Sequence, residues 1–157
     1  MTGASRLLAA PGPGLAEHLD QFGAMPTATA ELITTVDAAG LSGRGGAGFP
    51  TARKMATVHG RAVIVGNGAE GEPLSRKDAT LLTRAPHLVL DGLEAAAGAI
   101  GADKVYLYVH PEAAEAVTGA LDERQAAGMD AHQVTVVQAP DRFVAGEESA
   151  AISRIEG

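Results

Sequence analysis

The chain has 157 residues, no cysteine and a net charge of −7. That length suits one domain with a single core. The acidic balance argues against a nucleic-acid binder, and the missing thiols exclude disulfides, thiolate metal sites and iron–sulfur ligation by these residues. Hydrophobic residues make up 46% and aromatic ones 3%, with no Trp. The core must therefore be built from Ala, Val, Leu and Ile, and stacking on single-stranded nucleic acid is disfavoured. The histidines at 18, 59, 87, 110 and 132 form no HxxxH or HxH pair. No metal site is expected from them, and each reads as a surface or capping residue. No apolar run reaches 18 residues, so no membrane span is expected. The opening "MTGASRLLAAPGPG" is too weak for a secretory signal, which predicts a cytoplasmic protein.

In chain order, residues 1–26 are rich in Ala, Gly and Pro and read as an N-terminal arm with one short helix near 14–22. "TATAELITTVDAAG" (27–40) predicts a helix capped by Thr27 or Thr29 and stopped by Gly40. A glycine-rich loop follows, leading into a short helix from about Thr51. "RAVIVGN" (61–67) is a short β-branched run, hence a buried strand. "PLSRKDATLLTRA" (73–85) has helical spacing. "PHLVLDGLEAAAGAIGA" (86–102) predicts a second helix, with Pro in its first turn and Leu88, Leu93 and Ala96 along one face. "KVYLYVH" (104–110) is a strand, "PEAAEAVTGALDERQAAG" (111–128) a helix opened by Pro111 and closed by Gly128, and "QVTVVQA" (133–139) a third strand. "GEESAAISRIEG" (146–157) starts another helix. Apolar strands alternating with helices predict an α/β fold, a three-layer sandwich around a mainly parallel, Rossmann-like sheet. Ligands of such sheets sit beyond the carboxyl ends of the strands.

Three stretches fall at those ends. "GLSGRGGAGFPTARK" (40–54) packs five glycines into nine positions before a Pro, an Arg and a Lys. The amides of Gly43, Gly45, Gly46 and Gly48 can turn inward on an anion, with Arg44 and Lys54 adding positive charge. The competing reading is a flexible loop with surface cations, and the spacing matches neither GxGxxG nor GxxxxGK[ST]. "VGNGAEGEP" (65–73) sets Glu70 and Glu72 two apart, with Asn67 offering both a donor and an acceptor. That combination suits a planar ring with mixed imide edges, or equally a solvated acidic turn. "AGEES" (145–149) opens a helix with two acids, which helix capping alone would explain.

Taken in order, "GLSGRGGAGFPTARK", "VGNGAEGEPLSRKD" and "FVAGEESAAISRIEG" resemble the flavoprotein, NADH-binding subunit of respiratory complex I, a module shared with NAD-linked hydrogenases and formate dehydrogenases. The C subunit of Rnf complexes shares the first two motifs, and the "GEES…IEG" stretch favours the complex I branch. The resemblance covers roughly residues 27–157 and implies an FMN site, with hydride transfer from NADH to FMN and a glycine loop that wraps the flavin. It implies cofactor contacts at Gly43, Arg44, Gly45, Gly46, Lys54, Asn67, Glu70, Gly146, Glu147 and Glu148. NADH contacts are implied at Phe49, Glu72 and Glu148. Implied partners are NADH and other oxidoreductase subunits carrying iron–sulfur clusters, on the cytoplasmic side of a membrane complex where there is one. Departures accompany the resemblance. Ser42, Ala52 and Arg53 differ from the commonest forms of the first motif. Ala69 stands where the family usually has Asp, Phe143 where it has Tyr, and Thr57 where it has an aromatic. The family also continues into further flavin-site residues, a ubiquitin-like domain and a four-cysteine cluster domain beyond "ISRIEG". The second reading these departures support is a truncated, non-catalytic nucleotide-binding or interaction module.

Overall fold

A computed structural model describes residues 6–44, 47–71, 74–140, 151–153 and 155. Its elements are α1 (Leu15–Phe22), α2 (Glu31–Ala38), α3 (Thr51–Ala56), β1 (Ala62–Gly68), α4 (Lys77–Arg84), α5 (Pro86–Ile100), β2 (Ala102–Val109), α6 (Pro111–Ala127) and β3 (Val134–Gln138). The three strands form one parallel sheet in the order β1-β2-β3. The expected α/β class and parallel sheet are therefore present, with all three strands in the expected runs.

Strand alternation sorts side chains to two faces. Ala62, Ile64, Val105, Leu107, Val109, Val134 and Val136 meet Leu82 of α4, Leu90, Leu93 and Ala97 of α5, and Ala113, Val117 and Ala120 of α6. Two crossovers of one hand, stepping across the sheet in one direction, put all their helices on one side. The other face carries Val65, Tyr108 and Val137 and is met by Ala151, in the helical residues 151–153. Helix α1 lies outside the main helical layer against α5 and α6, and α2 lies against α5 and α3.

Several local expectations shift. Helix α2 starts at Glu31, with no side-chain cap from Thr27 or Thr29. Its first amides are met by backbone instead, Leu32 N–H to Thr29 O at 2.9 Å and Ile33 N–H to Ala30 O at 3.1 Å, so no hydroxyl is required. The buried stripe of α5 runs through Leu90, Leu93 and Ala97, while Leu88 and Ala96 are half-buried. Strand β1 continues through Gly68 because Gly66 and Gly68 belong to the packed strand. A Cβ on Gly66 would sit 2.9 Å from Leu93 Cδ2, and one on Gly68 would sit 2.7 Å from Leu82 Cδ1 and 3.2 Å from the Tyr108 carbonyl oxygen. Gly40 and Gly128 end their helices as expected, at φ +64° and +62°.

Two histidines read as surface or capping residues are core residues. His18 and His87 are buried. The Nε2–H of His18 donates to Asp91 Oδ2 at 2.8 Å, and that of His87 donates to Glu123 Oε2 at 3.0 Å, an oxygen that also accepts the Leu15 N–H. The two ring centroids are 5.6 Å apart, and Arg124, 1% exposed, lies beside them. Its guanidinium grips Asp130 through Nε and Nη2 at 2.6–3.0 Å, and its Nη1 lies 2.8 Å from Asp91 Oδ1. Burial alone would lower the Arg124 pKa; the bonds and charges of Asp130 and Asp91 outweigh it and raise the pKa above the ordinary value. The network ties α1, α5, α6 and the α6–β3 connection into one block. On the same connection, Glu94 accepts the Ala131 and His132 amides and His132 Nδ1–H, the last at 3.0 Å.

This block generates two expectations. Arg124→Ala strands Asp91 and Asp130 near the core and should destabilise the chain by about 3–5 kcal/mol in urea unfolding. For His87, burial is the main cause of a pKa pushed below the ordinary histidine value; Glu123 pulls the other way, and His18 and Arg124 add to the lowering. The folded state thus holds His87 neutral. As pH falls from about 6.5 toward the depressed native pKa, the unfolded chain takes up a proton that the folded chain refuses. Stability should fall over that window, and His87→Gln should flatten the slope of unfolding free energy against pH there.

Candidate functional site

The carboxyl ends of the parallel strands are where an open α/β sheet receives its ligands. Strand β1 delivers Asn67 to that edge. Register pairs Asn67 with Tyr108, and both lie on the face opposite the main helical layer. Asn67 is exposed, whereas Tyr108 is fully buried and its hydroxyl finds no hydrogen-bond partner among the described residues. Asn67 Oδ1 accepts the Ala69 N–H at 3.2 Å, folding the chain into an Asx turn. Ala69 is itself buried beside Tyr108, Ala139 and Ala151, an apolar neighbourhood consistent with Ala rather than a carboxylate at that position.

Glu70 follows, with its side chain 7% exposed. Burial would raise its pKa. The Ser75 hydroxyl, the backbone amides of Asp78 and Lys77 and the nearby Lys77 charge outweigh burial and hold the carboxyl below the ordinary range. Lys77 Nζ is 3.9 Å from Glu70 and 2.8 Å from Asp78. Helix α4 starts at Lys77 rather than near 73, and its own N-cap residue, Arg76, makes no side-chain cap bond; the Glu70 carboxylate lies beside this helix start, bonded to Ser75 and 3.9 Å from Lys77 Nζ. Asn67, Ala69, Glu70, Gly71, Ser75, Lys77 and Asp78 line a cavity of about 240 Å³. That is below the roughly 300–1,000 Å³ of small-molecule pockets and has room for one end of a cofactor. A larger cavity of about 650 Å³ lies between α6 and β3 around Leu121, His132 and Val134. It opens beside the start of β3, away from the ligand-binding edge, so the smaller cavity is the better candidate.

The glycine loop is pinched shut at its base. Ser42 and Pro50 form an antiparallel bridge, Gly43 N–H donates to Phe49 O at 2.9 Å, and Thr51 N–H donates to Leu41 O at 2.9 Å. The Gly43 amide is therefore spent on closing the loop and cannot also meet an anion. Gly48 sits at φ +55°, a conformation glycine adopts without strain. Arg44 and Phe49 are exposed, Phe49 at 55%. Lys54 is exposed on α3, whose start at Thr51 agrees with expectation. Neither Arg44 nor Lys54 forms an ion pair among the described residues. The structure thus groups Asn67, at the end of β1, with Glu70 on the turn that follows, and Gly43 with Arg44 and Phe49 on a closed loop leading to Lys54. Gly45, Gly46, Glu72, Phe143, Gly146, Glu147 and Glu148 lie outside the described residues.

Sequence reasoning missed Ser75, Asp78 and His110 as parts of this turn. His110 precedes α6, and its Nε2–H donates to the Glu70 carbonyl at 3.1 Å. Ser75-x-x-Asp78 has capping-box spacing, a signal for a helix start that was there to be read.

Residues 36–157 match the Nuo51 FMN-binding domain. The chain belongs to that family. Its relatives include the F subunit of NADH-quinone oxidoreductase in Aquifex aeolicus, 31% identical over 81% of this chain and 33% of that protein. The same subunit in Rhodobacter capsulatus is 34% identical over 80% of this chain and 33% of that protein. Among solved structures, an NAD+-reducing [NiFe]-hydrogenase in the air-oxidized state aligns with a TM-score of 0.70 at 37% identity, over 82% of this chain and 24% of that one. The H2-reduced state gives 0.63 at 35% identity, over 80% and 24%. The chain spans about a third of the length of the curated relatives it matches. Family membership agrees with the resemblance read from the three motifs and with FMN as the expected cofactor. No helix among the described residues is long and apolar enough to cross a membrane.

As a member of the FMN-binding-domain family, the chain should depend on Glu70 in a pH-specific way. A carboxylate with a depressed folded pKa stabilises above its unfolded pKa, and that contribution is lost as pH falls through the folded value. Glu70→Gln should cost about 1.5–3 kcal/mol at pH 7, the range of a hydrogen bond to a charged group. The difference between the two proteins should shrink as pH falls below about 4.3, the unfolded glutamate value, and vanish once the folded carboxylate is protonated.

Proposed function

We propose that the chain is the FMN-binding part of an NADH dehydrogenase-type oxidoreductase. Residues 27–157 would form the FMN/NADH-binding domain, with residues 1–26 an arm before it. The observation that carries this reading is the continuous match of residues 36–157 to an FMN-binding domain, a span that includes all three motifs. The donor set fits such a cofactor. Asn67 offers mixed hydrogen bonding at the ligand-binding edge of the sheet, and two exposed cations sit on a closed glycine loop and the helix after it.

Bound FMN would supply hydride-accepting chemistry, and the protein binding, orientation and electrostatics. Lys54 would meet the phosphate, with Arg44 adding positive charge. Gly45 and Gly46 would let the backbone approach the flavin, and Gly43 would keep the loop closed. Asn67 would orient the ring edge from the turn that Glu70 shares, with Gly146, Glu147 and Glu148 completing the pocket. Phe49 would stack on the nicotinamide dinucleotide, and Glu72 and Glu148 would bind its polar groups. These 157 residues hold no cysteine, so onward electron transfer would fall to iron–sulfur clusters held outside them, with cluster-bearing oxidoreductase subunits as the expected partners. A cytoplasmic setting fits this role.

Reconstitution with flavin tests the reading. The chain should bind FMN, with quenching of flavin fluorescence. Lys54→Gln should weaken FMN about tenfold or more, the worth of a charge-assisted hydrogen bond, and weaken riboflavin far less. Equal losses for the two flavins would remove Lys54 from the phosphate. Absence of flavin binding would favour the non-catalytic module.

A further inference from the structure

The turn after β1 is fastened more firmly than a solvated acidic turn requires. Asn67 Oδ1 accepts the Ala69 amide at 3.2 Å. The next residue, Glu70, is held at both its ends. Its carbonyl accepts from His110 Nε2–H at 3.1 Å, and its carboxylate accepts from the Ser75 hydroxyl beside the start of α4. An ionised carboxylate has about four acceptor positions. The Ser75 hydroxyl takes one of them, and Lys77 Nζ lies 3.9 Å away. The side chain is nearly buried and its hydrogen-bonding capacity is directed inward, toward α4.

We propose that Glu70, with Ser75 and His110, is a clamp that sets the position of Asn67 at the sheet edge. Glu70 then acts on a bound flavin through that clamp rather than by touching it, as a positioning residue. The proposal rests on the FMN reading given above. Its logic is mechanical. Gly68 is pressed beneath Leu82 of α4, so strand and helix are fixed to each other. The turn between them is free to shift unless something joins its middle to both sides. Glu70 joins it to α4 through its carboxylate and to the end of β2 through His110. Without the carboxylate Ser75 and Lys77 lose their tie to the turn, the start of α4 loosens, and the turn relaxes around Asn67. A displacement of an ångström at a binding residue is enough to reduce affinity or rate by orders of magnitude.

The test uses the 157-residue chain with Glu70→Gln, Ser75→Ala, Ser75→Thr and the Glu70→Gln/Ser75→Ala pair. FMN and riboflavin affinities, the visible spectrum of bound flavin, and amide exchange in the flavin-free chain are measured. Glu70→Gln should weaken FMN and riboflavin by the same factor, on the order of tenfold, and shift the bound-flavin spectrum. It should also speed exchange at the Lys77 and Asp78 amides at least tenfold. Ser75→Ala should act in the same direction with smaller effect, Ser75→Thr should restore affinity by keeping the hydroxyl, and the double variant should be no weaker than Glu70→Gln. Val117→Ala, in the core beneath α6, controls for lost stability and should leave both affinities unchanged. Additive losses in the double variant would overturn the clamp. So would weakened flavin binding with Lys77 and Asp78 still protected, because Glu70 would then be touching the ligand. If the wild-type chain binds neither flavin, the FMN reading fails. The clamp is then decided by exchange: faster exchange in Glu70→Gln upholds it, and unchanged protection overturns it.

Discussion

The closeness of β1 to its helices governs the arrangement of the ligand-binding edge. Side chains at positions 66 and 68 would collide with Leu93, Leu107 and Leu82, and interiors packed at crystal-like density do not absorb such insertions without shifts. Two glycines let the strand run deep and straight to its end. Parallel pairing with β2 then fixes Asn67 opposite Tyr108, and the turn after β1 has to start from that point. A motif rich in glycine can look like a ligand cradle throughout. In "VGNGAEGEP" the first two glycines serve the core, while Asn67 between them and the turn beyond Gly68 serve the edge.

The protein divides its charged groups between two jobs. Arg124, Asp91 and Asp130 are sequestered on the helical side, where the guanidinium answers both carboxylates, with His18 bonded to Asp91 and His87 to Glu123. Unpaired charge would be costly there, so the network fixes which helices meet and in what order. At the opposite extreme, Arg44 and Lys54 remain in solvent, on a loop pinched at Ser42 and Pro50 and on the helix after it. Cations in water retain their hydration and attract an anion at long range with little cost to the fold. Glu70 stands between these cases: a carboxylate at the ligand-binding edge whose bonds all run into the scaffold.

The layered architecture was legible in the sequence because a strand covered on both faces must be apolar throughout, and three β-branched runs satisfied that between Ala- and Leu-rich helices. Helix ends at Gly40 and Gly128 were legible for a local reason, since φ near +60° favours glycine. The three motifs pointed to the family through residues clustered along the chain, which is how a nucleotide-binding edge is encoded. What the sequence concealed was non-local. His18 is buried because Asp91 lies 73 residues away, and His87 because Glu123 lies 36 away; no periodicity reports such pairings. The α2 start failed for the opposite reason, because backbone carbonyls did what a threonine hydroxyl was expected to do. Glu70 was recognised as a site residue from the company it keeps, but its partners Ser75 and His110 emerge only when the turn, α4 and the end of β2 are seen together.

Helix α1 precedes the span that defines the family, which begins at residue 36, yet it supplies His18 to the Asp91–Arg124 network and the Leu15 amide to Glu123. The boundary drawn by family likeness and the boundary drawn by cooperativity therefore do not coincide. Shared ancestry is recorded where residues meet the cofactor or the sheet. The folding unit extends wherever a buried charge needs an answer, and here that reaches back to residue 15. Evolution can change this outer helix independently of the nucleotide-binding edge, provided that something continues to cover Asp91 and His87. A relative lacking an equivalent of α1 would have to solve the same electrostatic problem by other means, by replacing the buried ions with apolar residues or by covering them with a neighbouring protein.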